Sequence, residues 1–203
     1  SFSGYTGVYA VYHGILGHTI EIPESNQESY NAGRNAVLGG IDFLNQDPDR
    51  LLEMRLNFYL RGLNKTEDPK AENELVGPNG EIVGRVKNGR PKFFPDYYVI
   101  PMSLDKDNDA QEAFNMIDYF KRNGVLVKEL KEDIGNYKKG DLVIDMAQAK
   151  RGYANHILYK GSNESAWAAM YAELLVNFPD MRGFKSEPVF ADGLFNGKLG
   201  EVT

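Results

Sequence analysis

The sequence predicts an α/β protein in two parts. Three observations carry that prediction: a β-branched and aromatic opening followed by two capped amphipathic helices, a charged and turn-rich middle, and a strand–helix–strand run in the second half. The chain has 203 residues, 42% hydrophobic and 12% aromatic, which is enough apolar material for a core and too much for a disordered chain. A formal net charge of −6 leaves no basic surplus for nucleic acid or anionic lipid. The absence of cysteine excludes disulfides, Cys-based zinc sites and a thiol nucleophile together. No apolar run approaches the ~20 residues of a membrane span, and no signal-peptide pattern opens the chain. The opening, Ser1-Phe2-Ser3-Gly4-Tyr5, has no initiator Met and is expected to mark a cut within a larger protein.

Gly7 to Tyr12 and Gly17 to Ile22 are expected to be two short extended stretches joined at Gly14. Ser25 and Glu28 have the spacing of a capping box, so a helix should run to about Asn45, burying Tyr30, Val37, Ile41 and Leu44. Gly33 and Gly40 share one face of it. Asp47-Pro48 is an N-cap followed by proline at the first helical position. It opens a second helix with a stripe of Leu52, Leu56, Tyr59 and Leu63. The charged run from Lys65 and the turn Gly77-Pro78-Asn79-Gly80, flanked by Leu75-Val76 and Ile82-Val83, predict a linker with a small hairpin. The expected division is therefore 1–64, a linker over 65–95, and an α/β domain over 96–203.

In that domain Tyr97 to Met102 is a strand ending at Pro101, where proline requires an edge or a bulge. Asp109 and Glu112 form another capping box, followed by Ala113, Met116, Ile117 and Phe120 at helical spacing and Gly124 as the stop. Val125 to Leu130 is the next strand. A strand, a helix and a strand in about 35 residues make a βαβ unit with parallel strands, an order shared with flavodoxin- and amidotransferase-like domains. Asp141 to Met146 is a third strand. Helices are expected near Ala149–Tyr159 and Ser165–Phe178, the latter packing Trp167, Met170 and Tyr171, and the tail after Pro179 should be loop.

No G-x-G-x-x-G follows a strand, no Gly-Lys-Ser/Thr occurs, and there is no G-x-S-x-G elbow. The chemical candidate is Gly17-His18-Thr19-Ile20-Glu21-Ile22-Pro23. His18 and Glu21 have the H-x-x-E spacing of a zinc site, with His156 far downstream. On a strand, however, residues three apart face opposite ways and cannot share a metal. Glu21 alone is either a general base, its carboxyl driven towards neutrality by burial between Ile20 and Ile22, or a solvated edge-strand glutamate. His13 either lines the same site or is a hydrogen-bonded histidine beside a glycine turn. Gln148, Lys150 and Arg151 follow a strand's carboxyl end, where open α/β sheets bind ligands and where solvated loops also lie.

Gly4-Tyr5-Thr6-Gly7-Val8-Tyr9-Ala10 and then His13 through Pro23 resemble the C-terminal part of the zinc carboxypeptidase family, of the carboxypeptidase A type. There the last strand of the catalytic domain carries a T-x-E-x glutamate, the general base that activates zinc-bound water, and a helix follows. Thr19-Ile20-Glu21-Ile22 and the capped helix match that order. Phe94 to Pro101 and Asp145 to Gly152 look like the extra C-terminal region of large bacterial members. The resemblance implies Glu21 as the catalytic residue and a substrate-binding tyrosine nearby, with Tyr9 favoured over Tyr5 and Tyr12. It also implies zinc in the parent enzyme, peptide substrates, an upstream catalytic domain in the same chain and a secreted or cell-surface bacterial location. The family's zinc ligands and substrate-binding arginine and asparagine precede the glutamate by more than the twenty residues available here. The fragment is therefore expected to hold no zinc and to be inactive alone. The competing expectation is a non-catalytic α/β binding or interaction module. An amidotransferase relationship extends at most to the fold, because that family's nucleophile is a cysteine.

Overall fold

A computed structural model describes residues 5–67, 92–104, 108–160 and 178–202. The chain divides into two compact units, Phe2–Leu60 and Arg61–Thr203.

The first unit opens with helix α1, Thr6–Tyr12, where extended chain was expected. The apolar residues Val8, Tyr9, Val11 and Tyr12 have the i, i+1, i+3, i+4 spacing of a helical face, and that period prevails over β-branched propensity. Residues 15–25 are irregular, so the expected strand over Gly17 to Ile22 does not form. A lone extended segment leaves its backbone groups to solvent, and this unit supplies no second strand to pair with it among its described residues. Helix α2, Gln27–Gln46, starts one residue later than the capping box implied: Asn26, not Ser25, is the cap, and its side chain accepts from the Ser29 N–H at 2.8 Å. Helix α3, Pro48–Leu63, begins as expected, with the Asp47 carboxylate accepting from the Arg50 N–H at 2.9 Å. Neither α1 nor α2 buries a single residue.

The second unit is mixed α/β, built on a five-stranded antiparallel sheet. Its strands are β1 (Tyr97–Ile100), β2 (Lys128–Leu130), β3 (Leu142–Asp145), β4 (Glu187–Val189) and β5 (Leu199–Gly200), in the order β4-β1-β3-β2-β5. Every neighbouring pair is antiparallel, with Val99 opposite Val143 and Tyr98 opposite Pro188. β1 and β2 both oppose β3 and so run the same way, but β3 lies between them. The adjacent parallel pair of a flavodoxin-like sheet is therefore absent. The cause is local: the chain reverses at Gly135, φ +58°, between the bridged Ile134 and Tyr137, and returns beside β2 as a hairpin, so β3 takes the slot next to β1. The tail is not simply loop, since it forms helix α6 (Phe178–Arg182) and both edge strands. Pro188 in β4 fits an edge position, which has no inner ladder to break.

Helix α4, Ala110–Arg122, is capped by Asp109, whose carboxylate accepts from the Gln111 and Glu112 N–H groups. It buries Ala113, Met116, Ile117 and Phe120, and Gly124 follows in the left-handed region at φ +75°. Helix α5, Arg151–Leu158, packs on the sheet face of Tyr98, whose hydroxyl donates to Asn155 Oδ1 at 2.9 Å. The Tyr119 and Tyr153 hydroxyls, 2.7 Å apart, join α4 to α5. On the opposite face Tyr97, Val99, Leu130, Val143 and Val189 pack with Phe195 from the tail. Residues 75–83 and 165–177, where a hairpin and most of a helix with Trp167, Met170 and Tyr171 were expected, lie outside the described residues.

Candidate functional site

In the first unit the Glu21 segment is held by its backbone. Helix α1 ends at His13, and Gly14 turns the chain at φ +68° against the Phe58 ring. The Ile15 N–H donates to the Ala10 carbonyl at 2.9 Å. Tyr59 from α3 donates its hydroxyl to the His13 carbonyl at 2.8 Å. Beyond this turn the chain runs back along α1 with Gly17 against Gly7. A Cβ added at Gly17 would lie 2.1 Å from the Gly7 carbonyl oxygen, so only glycine fits. Further on, Ile22 Cδ1 lies 3.1 Å from where a Gly33 Cβ would stand, which lays the segment on α2.

Within this frame His18, Thr19, Ile20 and Glu21 are exposed. Ile20 is 46% and Ile22 38% exposed, so the apolar enclosure expected around Glu21 is not supplied by its neighbours in this unit. Tyr9 is 40% exposed on α1 and its ring lies 4.3 Å from that of half-buried His13. Tyr9 and Glu21 thus sit on elements joined at the Gly7–Gly17 contact. His18 and Glu21 lie on an irregular segment, so the opposite faces expected of them on a strand do not apply. Among the described residues no group of three or more His, Asp or Glu side chains is placed to hold a metal ion.

The second unit has its own polar centre, which sequence reasoning touched only at Gln148, Lys150 and Arg151. Asp96, 2% exposed at the start of β1, receives Lys92 Nζ at 2.5 Å and Lys65 Nζ at 3.4 Å. Lys65 also pairs with Asp192. Burial pulls the Lys65 ammonium down, but the hydrogen bond and charge of Asp192 and the charge of Asp96 leave its pKa raised overall. Glu67 accepts from the Phe93 and Phe94 N–H groups, each at 3.2 Å. Arg151, 5% exposed, lies over the Phe94 ring at 4.2 Å and donates to the Thr66 carbonyl. Burial lowers its pKa, against the opposing pull of Glu67. Gln148 donates to the Asp145 carbonyl at 2.6 Å and accepts from the Leu126 N–H at 2.9 Å. These groups fasten residues 65–67 to 92–96 and the end of β3 to the chain before β2. The signal for Asp96 was present in the sequence as a carboxylate wedged between Phe93-Phe94-Pro95 and Tyr97-Tyr98, a setting that demands a cation.

Comparison with family models, curated proteins and solved structures returns no match.

Proposed function

We propose that residues 1–64 are the C-terminal part of a metallocarboxypeptidase catalytic domain, with Glu21 as general base and Tyr9 as a substrate contact, and that 96–203 are an appended domain. The observation that carries this reading is the Thr19-Ile20-Glu21-Ile22 segment leading directly into a capped twenty-residue helix that buries nothing. Tyr30, Val37, Ile41, Phe43 and Leu44 on α2 are 47–67% exposed, an apolar surface that a longer catalytic domain would cover. The same cover would supply the low-dielectric surroundings that a carboxylate base needs. In the parent enzyme Glu21 would take the proton of the attacking water and return it to the leaving amine. The zinc implied by the family resemblance would be held in the parent enzyme by ligands upstream of Glu21, where that family places them. The competing reading is a non-catalytic α/β binding or interaction module, in keeping with Asp96, Glu67, Gln148 and Arg151 being engaged in holding the fold.

The deciding measurement is peptide hydrolysis by the parent enzyme carrying Glu21→Gln. Glutamine keeps the shape and hydrogen bonds but accepts no proton, so kcat should fall by roughly 10²–10⁴-fold at unchanged KM and zinc content. An unchanged kcat would remove Glu21 from the mechanism.

A further inference from the structure

The candidate base lies on a stretch with no secondary structure, yet a general base works only if its carboxylate is held within hydrogen-bond reach of the reacting water. No ladder of strand hydrogen bonds fixes residues 15–25. Besides the Ile15 N–H bond to Ala10 and the Ile22 side chain on α2, they are held by the bare backbone of two glycines. A Cβ at Gly17 would meet the Gly7 carbonyl oxygen at 2.1 Å, its carbon at 2.8 Å and Ala10 Cβ at 3.0 Å. From the other side, a Cβ at Gly7 would meet the backbone N and C of His18 at 3.3 Å. Main chain therefore touches main chain, and neither partner can step aside by changing a rotamer. The contact at Gly33 is different in kind, because its 3.1 Å neighbour is the far end of the Ile22 side chain, which can turn away.

We propose that Gly17, with Gly7, is a positioning residue: the Gly7–Gly17 backbone contact sets the distance between the Glu21 segment and the helix bearing Tyr9. The inference rests on the Glu21 reading above and adds to it the device that places the base. Glu21 lies four residues beyond Gly17, so a main-chain displacement at Gly17 is carried to it along the chain. A displacement of about 1 Å at a catalytic group is enough to cost roughly 100-fold in rate.

The test is a graded glycine series in the zinc-loaded parent enzyme, reading kcat, KM, zinc content and the acid limb of the pH–rate profile. Gly17→Ala should lower kcat by about 10- to 100-fold at unchanged KM and zinc content. It should also shift the acid limb, because the base occupies different surroundings. Gly7→Ala, with its milder 3.3 Å contact, should act in the same sense by a few-fold. Gly39→Ala, with nothing within 4 Å, should match the unaltered enzyme. A purely structural role for the contact would leave the acid limb in place and lower only the amount of folded enzyme. Should Gly17→Ala not fold, Gly7→Ala decides: unaltered kcat and pH profile in that variant overturn the proposal. If Glu21→Gln is inactive while both Gly17→Ala and Gly7→Ala are unaltered, the positioning role fails and the base stands. If Glu21→Gln itself keeps full kcat, the base reading fails and takes the positioning role with it.

Discussion

Residues 2–60 and 61–203 are both rich in apolar side chains, but among the described residues only the second unit converts them into a core. Val99, Ile100, Val143, Ile144 and Phe120 are 0% exposed, whereas Tyr30, Val37 and Phe43 on α2 are 67%, 58% and 57% exposed. The caps of α2, α3 and α4 are equally well made, so the difference does not lie in local structure. It lies in what stands opposite each apolar face. In the second unit the sheet meets α5, itself bonded to α4, on one face and Phe195 with its neighbours on the other. In the first, α1 and α2 have formed without burying anything. An amphipathic pattern states which face requires cover and is silent about whether the cover is present.

The largest test of this contrast is a pair of truncations. Phe120→Ala should destabilise the second unit by about 3–5 kcal/mol in denaturant unfolding followed by hydrogen exchange of β1 and β3. Phe43→Ala in α2 should cost less than about 0.5 kcal/mol in this chain, since the ring is already largely in water. A cost for Phe43→Ala comparable to that of Phe120→Ala would break the contrast. The same substitution becoming costly in the parent enzyme would sharpen it, because the missing cover would then have been found.

An intermediate effect is expected from acid. Burial pushes His156 on α5 down to about 4, from an ordinary value of 6.5, so the folded unit holds this ring neutral while the unfolded chain protonates it. Between those two values the unfolded state binds more protons, and stability therefore falls as the pH drops from about 6.5 towards 4. The slope cannot exceed about 1.4 kcal/mol per pH unit and is smaller for a ring that keeps some solvent. His156→Gln should flatten that window in thermal melts of the second unit. An equal pH slope in the variant would assign the effect to another group.

The smallest effect separates glycines by what they touch. Gly39→Ala in the exposed middle of α2 meets nothing within 4 Å and should stabilise that helix by roughly 0.5–1 kcal/mol, read by hydrogen exchange. Destabilisation there would mean that α2 is covered on that side, which would again erase the difference between the units.

Local chemistry was legible in the sequence wherever a residue acts on its own neighbours. Asp47 and Asp109 cap their helices, Gly124 ends α4, and Ala113, Met116, Ile117 and Phe120 point inward, because hydrogen-bond geometry and a period of 3.6 are settled within a few residues. The motif around Glu21 was equally visible as a string of residues. Its conformation was not, because a strand exists only with a partner and the first unit provides none among its described residues. The order of the sheet likewise escaped the sequence. The β1–α4–β2 run was read as adjacent parallel strands, but a hairpin over residues 131–141 places β3 beside β2, and β3 then separates the two. The two lysines on Asp96 come from 31 residues before it and from the turn just ahead of it, a convergence no local pattern encodes. Caps and periodicity are short-range and belong to the sequence. Pairing, burial and charge neutralisation depend on which distant segments come together, and only the tertiary structure decides that.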